Sequence, residues 1–171
     1  MQYTEYYAQF FTAAILEWKH LLKPDKYKDV ITGSLRFLVE HKRVKVYAFV
    51  IMGNHLHLMW QVQAEHSLPD VQRDFLKFTA QQIKSDFSIH HPLVLEKFKV
   101  GAKDRQYQFW ERNPLSIDLY THEVFMQKLE YIHWNPVKAG LCSCPEEYKY
   151  SSARFYITGV DEFGFLTHLN G

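Results

Sequence analysis

Two histidines separated by one residue are the first feature of this sequence that suggests chemistry. His55 and His57 lie in the apolar run MGNHLHLMWQV, which has the composition of a β-strand. Because alternate residues of a strand project to the same side, the two imidazoles share one face, about 7 Å apart along the strand. Imidazoles bind divalent metal ions, so the pair predicts two ligands of a metal site, with half-exposed surface histidines as the alternative.

A second set of polar side chains follows at helical spacing in QKLEYIHWNPVKAG. Gln127, Tyr131 and Asn135 are spaced by four residues, which aligns them along one face of a helix. If this stripe faces the histidines, an amide oxygen completes the set of metal ligands and the tyrosine hydroxyl lies beside the ion. A metal ion can polarise a phosphodiester for attack by such a hydroxyl. The alternative is a packed tyrosine whose hydroxyl bonds to a neighbouring group.

The elements that would position these residues follow the order β-α-β-β-α-β, and then a helix and a tail. The hydrophobic pattern predicts strands over 8–16, 44–51, 55–62 and 105–112, and helices over 25–42, 70–87 and 121–135. Residues 88–104 are expected to form a mobile, basic connection, and Pro136 predicts that the last helix ends at about Asn135. This order predicts an α+β protein with the ferredoxin-like split βαβ fold, an antiparallel sheet with helices on one face.

The composition bounds the class of protein. Hydrophobic residues make up 47% of the 171 residues, which predicts one domain over 1–171, with a core over about 8–140 and a tail over 141–171. The N-terminus lacks a signal-peptide pattern and no apolar run has the length of a membrane helix, so a cytoplasmic protein without membrane contact is expected. Cys142 and Cys144 form a single C-x-C and are expected to be reduced thiols.

Basic and aromatic residues are concentrated in two stretches, although the net charge is only +1. Such residues contact nucleic-acid phosphates or stack on unpaired bases, or they merely solvate the surface. The candidates for phosphate contact are Arg73, Lys77, Lys84, Lys103 and Arg105, and the candidates for stacking are Tyr107 and Trp110.

Four segments together carry a resemblance to a known family. The strand NHLHL, within YAFVIMGNHLHLMW, resembles the His-U-His strand of the HUH single-tyrosine transposases, where U is a bulky apolar residue. The segment YIHWNPVKAGL closely resembles the signature YIH-x-NPV-x-AGL of that family, and YKYSSARFY resembles the motif that follows it. With RDFLKFTAQQI these segments cover most of the chain. The sequence therefore resembles the HUH transposases, and most closely the REP-associated tyrosine transposases.

This resemblance implies a fold, a reaction and a set of site residues. The fold would be the HUH endonuclease core with a C-terminal helix and tail. His55, His57 and Asn135 would bind Mg²⁺ or Mn²⁺, and Tyr131 would attack a phosphodiester of single-stranded DNA to form a 5′-phosphotyrosine link. The partner would be single-stranded DNA that carries hairpins of palindromic repeats, and the cleavage would lie near the feet of those hairpins.

Several alternatives stay open at the level of sequence. Gln127 is a reserve metal ligand, and Tyr120 and Tyr107 are reserve nucleophiles. A non-catalytic, domesticated protein that binds hairpin DNA or RNA is a second class of function, and a metallohydrolase that activates water is a third. The sequence is compatible with either a homodimer or a monomer. A covalent protein–DNA adduct distinguishes the transposase-like reaction from the other two functions.

Overall fold

Four antiparallel strands form one sheet in this computed structural model, which describes residues 6–171. The strands are β1 (Gln9–Ala14), β2 (Val44–Ile51), β3 (His55–Val62) and β4 (Leu115–Asp118). The helices are α1 (Asp25–Glu40), α2 (Leu68–His90), α3 (Pro92–Glu96), α4 (His122–Lys138) and α5 (Ala153–Thr158), with short 3-10 helices at Leu16–Trp18 and Pro145–Glu147. The spatial order β2-β3-β1-β4 is that of the split βαβ pattern, so the predicted fold class is confirmed.

The two faces of the sheet are covered by different helices. On β3, Leu56, Leu58 and Trp60 are fully buried in the core that α1 and α2 close, and burial of each such side chain contributes about 1.5–3 kcal/mol. Met59 points to the opposite face and packs in a second cluster with residues of α4. The strand alternation therefore places the histidines of β3 on the face that α4 covers.

The fourth strand differs from the prediction. Residues 105–112 do not form a strand, and only isolated bridges join Tyr107 to Lys99 and Trp110 to Ile15. The consecutive residues Phe109 and Trp110 are both buried, which the alternation of a strand with one solvated face does not allow. The strand that pairs with β1 is the four-residue segment Leu115–Asp118.

Two helical boundaries also differ from the prediction. The connection expected over 88–104 is partly helical, because α2 continues to His90 and the short α3 follows it. Helix α4 continues through Pro136 to Lys138 rather than ending at Asn135. Pro136 lies in the last turn with its ring buried, so it removes only one backbone hydrogen bond near the helix end. Asn135 therefore keeps helical geometry.

The tail packs along the outer edge of β2. The backbone N–H of Ile51 donates to Tyr150 O at 2.9 Å, and that of Thr167 donates to Val46 O at 2.8 Å. These bonds satisfy backbone groups that an edge strand otherwise leaves unpaired. None of the helices in residues 6–171 is long and apolar enough to cross a membrane.

Candidate active site

The two histidines lie side by side beneath α4. In the antiparallel pairing of β1 with β3, His55 is opposite Ala14 and His57 is opposite Thr12. The imidazole centroids are 4.9 Å apart. The His57 residue is only 5% exposed, whereas His55 is partly exposed at the end of the strand. The pair is therefore not a set of surface histidines.

Each histidine is oriented by a hydrogen bond to its Nδ1 atom. His57 Nδ1 lies 2.8 Å from Thr12 Oγ1, and His55 Nδ1 lies 2.7 Å from Asn54 Oδ1. An amide oxygen only accepts, so His55 donates from Nδ1 and its Nε2 carries the free lone pair. Bonds of this kind fix the tautomer and orientation of metal-binding histidines. The arrangement leaves both Nε2 atoms available to a ligand.

Two buried polar atoms at this site have no hydrogen-bond partner within residues 6–171. They are His57 Nε2, on β3, and Asn135 Oδ1, on α4. The side chain of Asn135 also approaches the imidazole of His55. An unpaired buried polar atom costs about 1–3 kcal/mol, so such atoms are retained where something else satisfies them. Two imidazole nitrogens and an amide oxygen are suitable ligands for a divalent cation, and the set fits Mg²⁺ or Mn²⁺ if water or phosphate oxygens complete the shell.

The environment of the histidines keeps both in the neutral, metal-binding form. Burial lowers the pKa of His57 to about 3, and the nearby charges of His55 and Lys128 act in the same direction. Burial also lowers the pKa of His55, against a smaller opposing effect from Asn135. Both imidazoles are therefore unprotonated at neutral pH.

Tyr131 stands over the histidines from α4. Its ring centroid is 5.3 Å from that of His57 at an interplanar angle of 72°, and 6.0 Å from that of Phe10. The residue is 42% exposed. Seven other tyrosine hydroxyls donate hydrogen bonds, whereas the Tyr131 hydroxyl has no partner in the described part of the chain. The alternative of a packed tyrosine with a bonded hydroxyl is thus not what the structure contains.

The reserve residues lie elsewhere. Gln127 is exposed and lines a different groove with Glu130 and Trp134. Tyr120 donates its hydroxyl to Asp118 at 2.8 Å, and this hydrogen bond raises the pKa of Tyr120. Tyr107 lies against α2. None of the three shares a ring or hydrogen-bond contact with the histidines in residues 6–171.

A basic groove of about 850 Å³ runs between α2 and residues 104–114. Six of the seven predicted DNA-binding residues line it: Arg73, Lys77, Lys84, Arg105, Tyr107 and Trp110. The seventh, Lys103, is exposed just before the segment that lines the groove. The tertiary structure therefore brings two distant stretches of the chain into one surface.

The residues of the basic groove are not equally free to contact a ligand. Lys77 and Lys84 are exposed and belong to none of the ion pairs found in residues 6–171. Arg73 and Arg105 instead form ion pairs with neighbouring aspartates. The prediction that Trp110 stacks on bases is wrong, because the residue is 6% exposed and its indole N–H donates to Thr79 Oγ1 at 3.1 Å.

Three residues of the site were not predicted from the sequence. Asn54 precedes His55 directly, and Lys128 lies three residues before Tyr131 on the same helix, so both had a local signal. The Lys128 ammonium is 5.8 Å from the Tyr131 ring centroid. Thr12 had no such signal, because its contact with His57 depends on the register of β1 with β3.

Carboxylates take no part in the site. Within residues 6–171, no group of three or more His, Cys, Asp or Glu residues is placed to hold a metal ion. Glu130, the acid adjacent to Tyr131 in sequence, is exposed and lines the groove that contains Trp134. The donor set of the candidate site is therefore neutral, and a cation held there would not be neutralised by protein carboxylates.

Comparisons with known proteins bear on the fold and the sequence relationship of this chain. No protein-family model matches the chain. A curated Haemophilus influenzae (strain Rd) protein described as a "Putative REP-associated tyrosine transposase" is 25% identical over 154 residues, covering 85% of this chain and 84% of the relative. The solved structure of a REP-associated tyrosine transposase bound to a REP hairpin has a TM-score of 0.67 at 16% identity, covering 99% of this chain and 90% of that one.

A second solved structure, described as a "putative transposase" from Deinococcus radiodurans R1, has a TM-score of 0.48 at 16% identity. It covers 77% of this chain and 90% of its own. The resemblance found in the motifs is confirmed: the chain is similar in sequence to the H. influenzae protein described as a "Putative REP-associated tyrosine transposase", and it has the fold of the solved REP-associated tyrosine transposase.

Proposed function

We propose that this protein is a metal-dependent, single-stranded DNA endonuclease and strand transferase that acts near DNA hairpins. The observation that carries the proposal is the juxtaposition of two unpaired buried atoms, His57 Nε2 and Asn135 Oδ1, with the partly exposed Tyr131, whose hydroxyl has no hydrogen-bond partner in residues 6–171. A purely structural site would pair these buried atoms with each other or with the backbone. A site that awaits a cation and a phosphate has a reason to leave them free.

The proposed reaction is a transesterification. The Tyr131 oxygen attacks the phosphorus of a phosphodiester and loses its proton to solvent. The bond from phosphorus to the 3′ oxygen breaks, and that oxygen takes up a proton to become a free 3′-OH. Attack of a 3′-OH on the phosphotyrosine reverses the step and joins strands. No net hydrolysis occurs, so the energy of the broken ester is retained in the tyrosine link.

The residues around Tyr131 have distinct roles in this proposal. His55, His57 and Asn135 would hold Mg²⁺ or Mn²⁺, which supplies charge neutralisation at the phosphate and the leaving oxygen. The ammonium of Lys128, 5.8 Å from the centroid of the Tyr131 ring, would stabilise the negative charge that develops on the same phosphate. The partial exposure of Tyr131 leaves its hydroxyl open to an approaching strand.

The basic groove is the proposed contact surface for the hairpin. The exposed ammonium groups of Lys77 and Lys84 are suited to phosphate contacts. Arg73 and Arg105 would contact further phosphates when these replace the aspartates with which the two arginines form ion pairs. Tyr107 lies 5.3 Å from Lys84 Nζ and offers its ring to an unpaired base. The solved REP-associated tyrosine transposase with a similar fold is described as bound to a REP hairpin, which supports a hairpin as the partner here.

One strand can contact the groove and the histidines together. Glu111, which lines the groove, donates its backbone N–H to Ala14 O at 2.8 Å, and Ala14 is the strand partner of His55. The two surfaces therefore lie at the same end of the sheet, on its opposite faces. A duplex stem in the groove would pass its single-stranded foot around this edge toward Tyr131.

A covalent-adduct assay tests the proposal. Labelled single-stranded oligonucleotides that carry the palindromic hairpins flanking the gene are incubated with protein and Mn²⁺ and then denatured. We expect label to migrate with the wild-type protein and with Tyr120→Phe, but not with Tyr131→Phe. A shifted native complex without covalent label in the wild-type protein would instead favour the non-catalytic binding protein.

A further inference from the structure

We propose that Trp18 is a stacking site for one unpaired nucleobase, next to the candidate metal site. This inference rests on the proposed function and names a contact that the reaction itself does not require. The indole lies at the outer end of the histidine pair, where a strand that reaches Tyr131 would have to pass. A flat aromatic face binds any unpaired base, because every base has a π-face.

The first observation is the position of the ring. The centroid of Trp18 is 5.6 Å from that of His55, with the two planes inclined by 58°. His55 is itself 4.9 Å from His57. A base stacked on Trp18 would thus belong to a nucleotide whose phosphate lies near the proposed cation, so one contact would place the strand beside the ion.

The second observation is the exposure of the ring. Trp18 is 54% exposed, whereas the core tryptophans Trp60 and Trp110 are nearly or fully buried. Exposing a large aromatic side chain forfeits the burial that normally stabilises it. The fourth tryptophan, Trp134, is also 42% exposed, but it shares its groove with Glu123, Glu130 and Glu146. Those carboxylates repel a phosphate backbone, so Trp134 provides a matched control.

The third observation is that the loop holds the ring in place. Glu17 and Trp18 both have a φ of 55°, a left-handed conformation that non-glycine residues rarely adopt and that the surrounding contacts must hold. The Glu17 backbone N–H donates to the Glu111 carboxylate at 2.5 Å. Ile15 N–H donates to Asn54 O at 2.9 Å, which ties the loop to the turn before His55. The indole is therefore held beside His55 in advance of any ligand, as a preorganised contact should be.

The loop also joins the two surfaces of the proposed function. The Glu111 carboxylate that accepts from Glu17 belongs to the segment that lines the basic groove. Trp18 would consequently lie beside a strand that passes from the groove to Tyr131 in the proposed function. The expected occupant is an unpaired base at the foot of a hairpin, and a paired base cannot offer the face that stacking needs.

The test compares hairpins that have an unpaired extension at the 5′ foot, at the 3′ foot or at neither. Affinities are measured with Mn²⁺ for the parent variant Tyr131→Phe, which does not cleave, and for the same variant carrying in addition Trp18→Ala, Trp18→Phe or Trp134→Ala. We expect Trp18→Ala to weaken binding of one extended hairpin about tenfold, and to leave the blunt hairpin unchanged. Trp18→Phe should retain most of the affinity, and Trp134→Ala should bind as the parent does.

A second readout is the tryptophan fluorescence. Binding of the extended hairpin should quench the fluorescence of the parent protein and of Trp134→Phe. It should quench the fluorescence of Trp18→Phe far less. Equal affinities and equal quenching in the Trp18 variants would overturn the inference, while a covalent adduct in the wild-type protein would leave the proposed function standing. If the wild-type protein binds none of the hairpins and forms no covalent adduct with any of them, both proposals fail.

Discussion

The ring of Tyr131 stands edge-on to the imidazole of His57, with 5.3 Å between the ring centroids. These residues are 74 positions apart in sequence and meet because α4 crosses the face of the sheet that carries the histidines. The contact joins the proposed nucleophile to the proposed metal ligand directly.

The change Tyr131→Phe should abolish the covalent protein–DNA adduct while preserving the fold. It removes one hydroxyl without a hydrogen-bond partner in residues 6–171 from a residue that is 42% exposed, so the free energy of unfolding should change by less than about 0.5 kcal/mol. Adduct formation is measured on denaturing gels and stability by urea denaturation. Tyr120→Phe is the control, and an adduct that survives in Tyr131→Phe would transfer the nucleophile to another tyrosine.

The double change His55→Ala, His57→Ala should eliminate Mn²⁺ binding. It removes two of the three proposed ligands, and a lone amide oxygen has little affinity for the ion. Isothermal titration with Mn²⁺ measures the loss without any need for DNA. His90→Ala, His91→Ala is a matched control, since these adjacent histidines are exposed near the end of α2. Full Mn²⁺ affinity in the first variant would place the metal site elsewhere.

Thr12→Val should weaken Mn²⁺ binding although Thr12 is not a proposed ligand. The hydroxyl of Thr12 holds His57 Nδ1 at 2.8 Å, and loss of such an orienting bond typically costs 10–100-fold in metal affinity. Thr12→Ser should retain the bond and most of the affinity. If Thr12→Val and Thr12→Ser bind Mn²⁺ equally well, the hydroxyl does not position the ring.

Acid should destabilise the metal-free protein through His57 and His133. Burial lowers the pKa of His57 to about 3 and that of His133 to about 4, from an ordinary value of 6.5. The unfolded chain then binds protons that the folded chain does not, so the free energy of unfolding falls as the pH drops from about 6.5 towards 4. We expect a slope that approaches about 1.4 kcal/mol per pH unit for each histidine, measured by urea denaturation with a chelator present.

The share of His133 in this acid sensitivity can be isolated. His133 Nε2 lies 2.8 Å from the buried Ser152 Oγ, which also bonds to the backbone of Phe49. His133→Gln should reduce the slope by about one histidine's contribution, whatever the variant's stability at pH 7. An unchanged slope in the variant would show that His133 is not the group that titrates on unfolding.

Removal of two lysines from the basic groove should reduce the salt dependence of hairpin binding. Each lost phosphate contact lowers the slope of log K against log salt concentration by about 0.9 for duplex DNA, so Lys77→Gln with Lys84→Gln should lower it by nearly two. The matched control is Lys45→Gln with Lys149→Gln, which removes the same charge from exposed positions on β2 and in the tail. Equal slopes in the two double variants would exclude the groove as the phosphate contact.

Local sequence patterns predicted the hairpin that carries the histidines. Strands β2 and β3 have the predicted bounds, because β-branched and aromatic residues flank a Met-Gly-Asn turn and the signal lies within about twenty residues. Strand β4 was not predicted, because its pairing is not local in sequence. Only four residues pair with β1, and partners such as Gln9 and Asp118 are more than one hundred residues apart. A local sequence pattern cannot predict such a pairing.

Local patterns also do not determine which residues of α4 face the histidines. Steps of four residues rotate by about 40° each, so Gln127 lies about 80° around the helix from Asn135, although the two belong to one apparent stripe. Only packing of α4 on the sheet distinguishes which end of the stripe faces the histidines. Asn135 Oδ1 is buried at the site, and Gln127 is exposed in another groove.

Local patterns in the sequence predicted the candidate side chains of the site and their spacing, because alternation in a strand and the helical turn are properties of the local backbone. Which of these side chains meet depends on long-range packing. The register of β1 set Thr12 against His57, the packing of α2 buried Trp110, and the crossing of α4 brought Tyr131 and Asn135 to the histidine pair. Each of these contacts joins residues that are distant in sequence, and their energies depend on packing that no short segment contains.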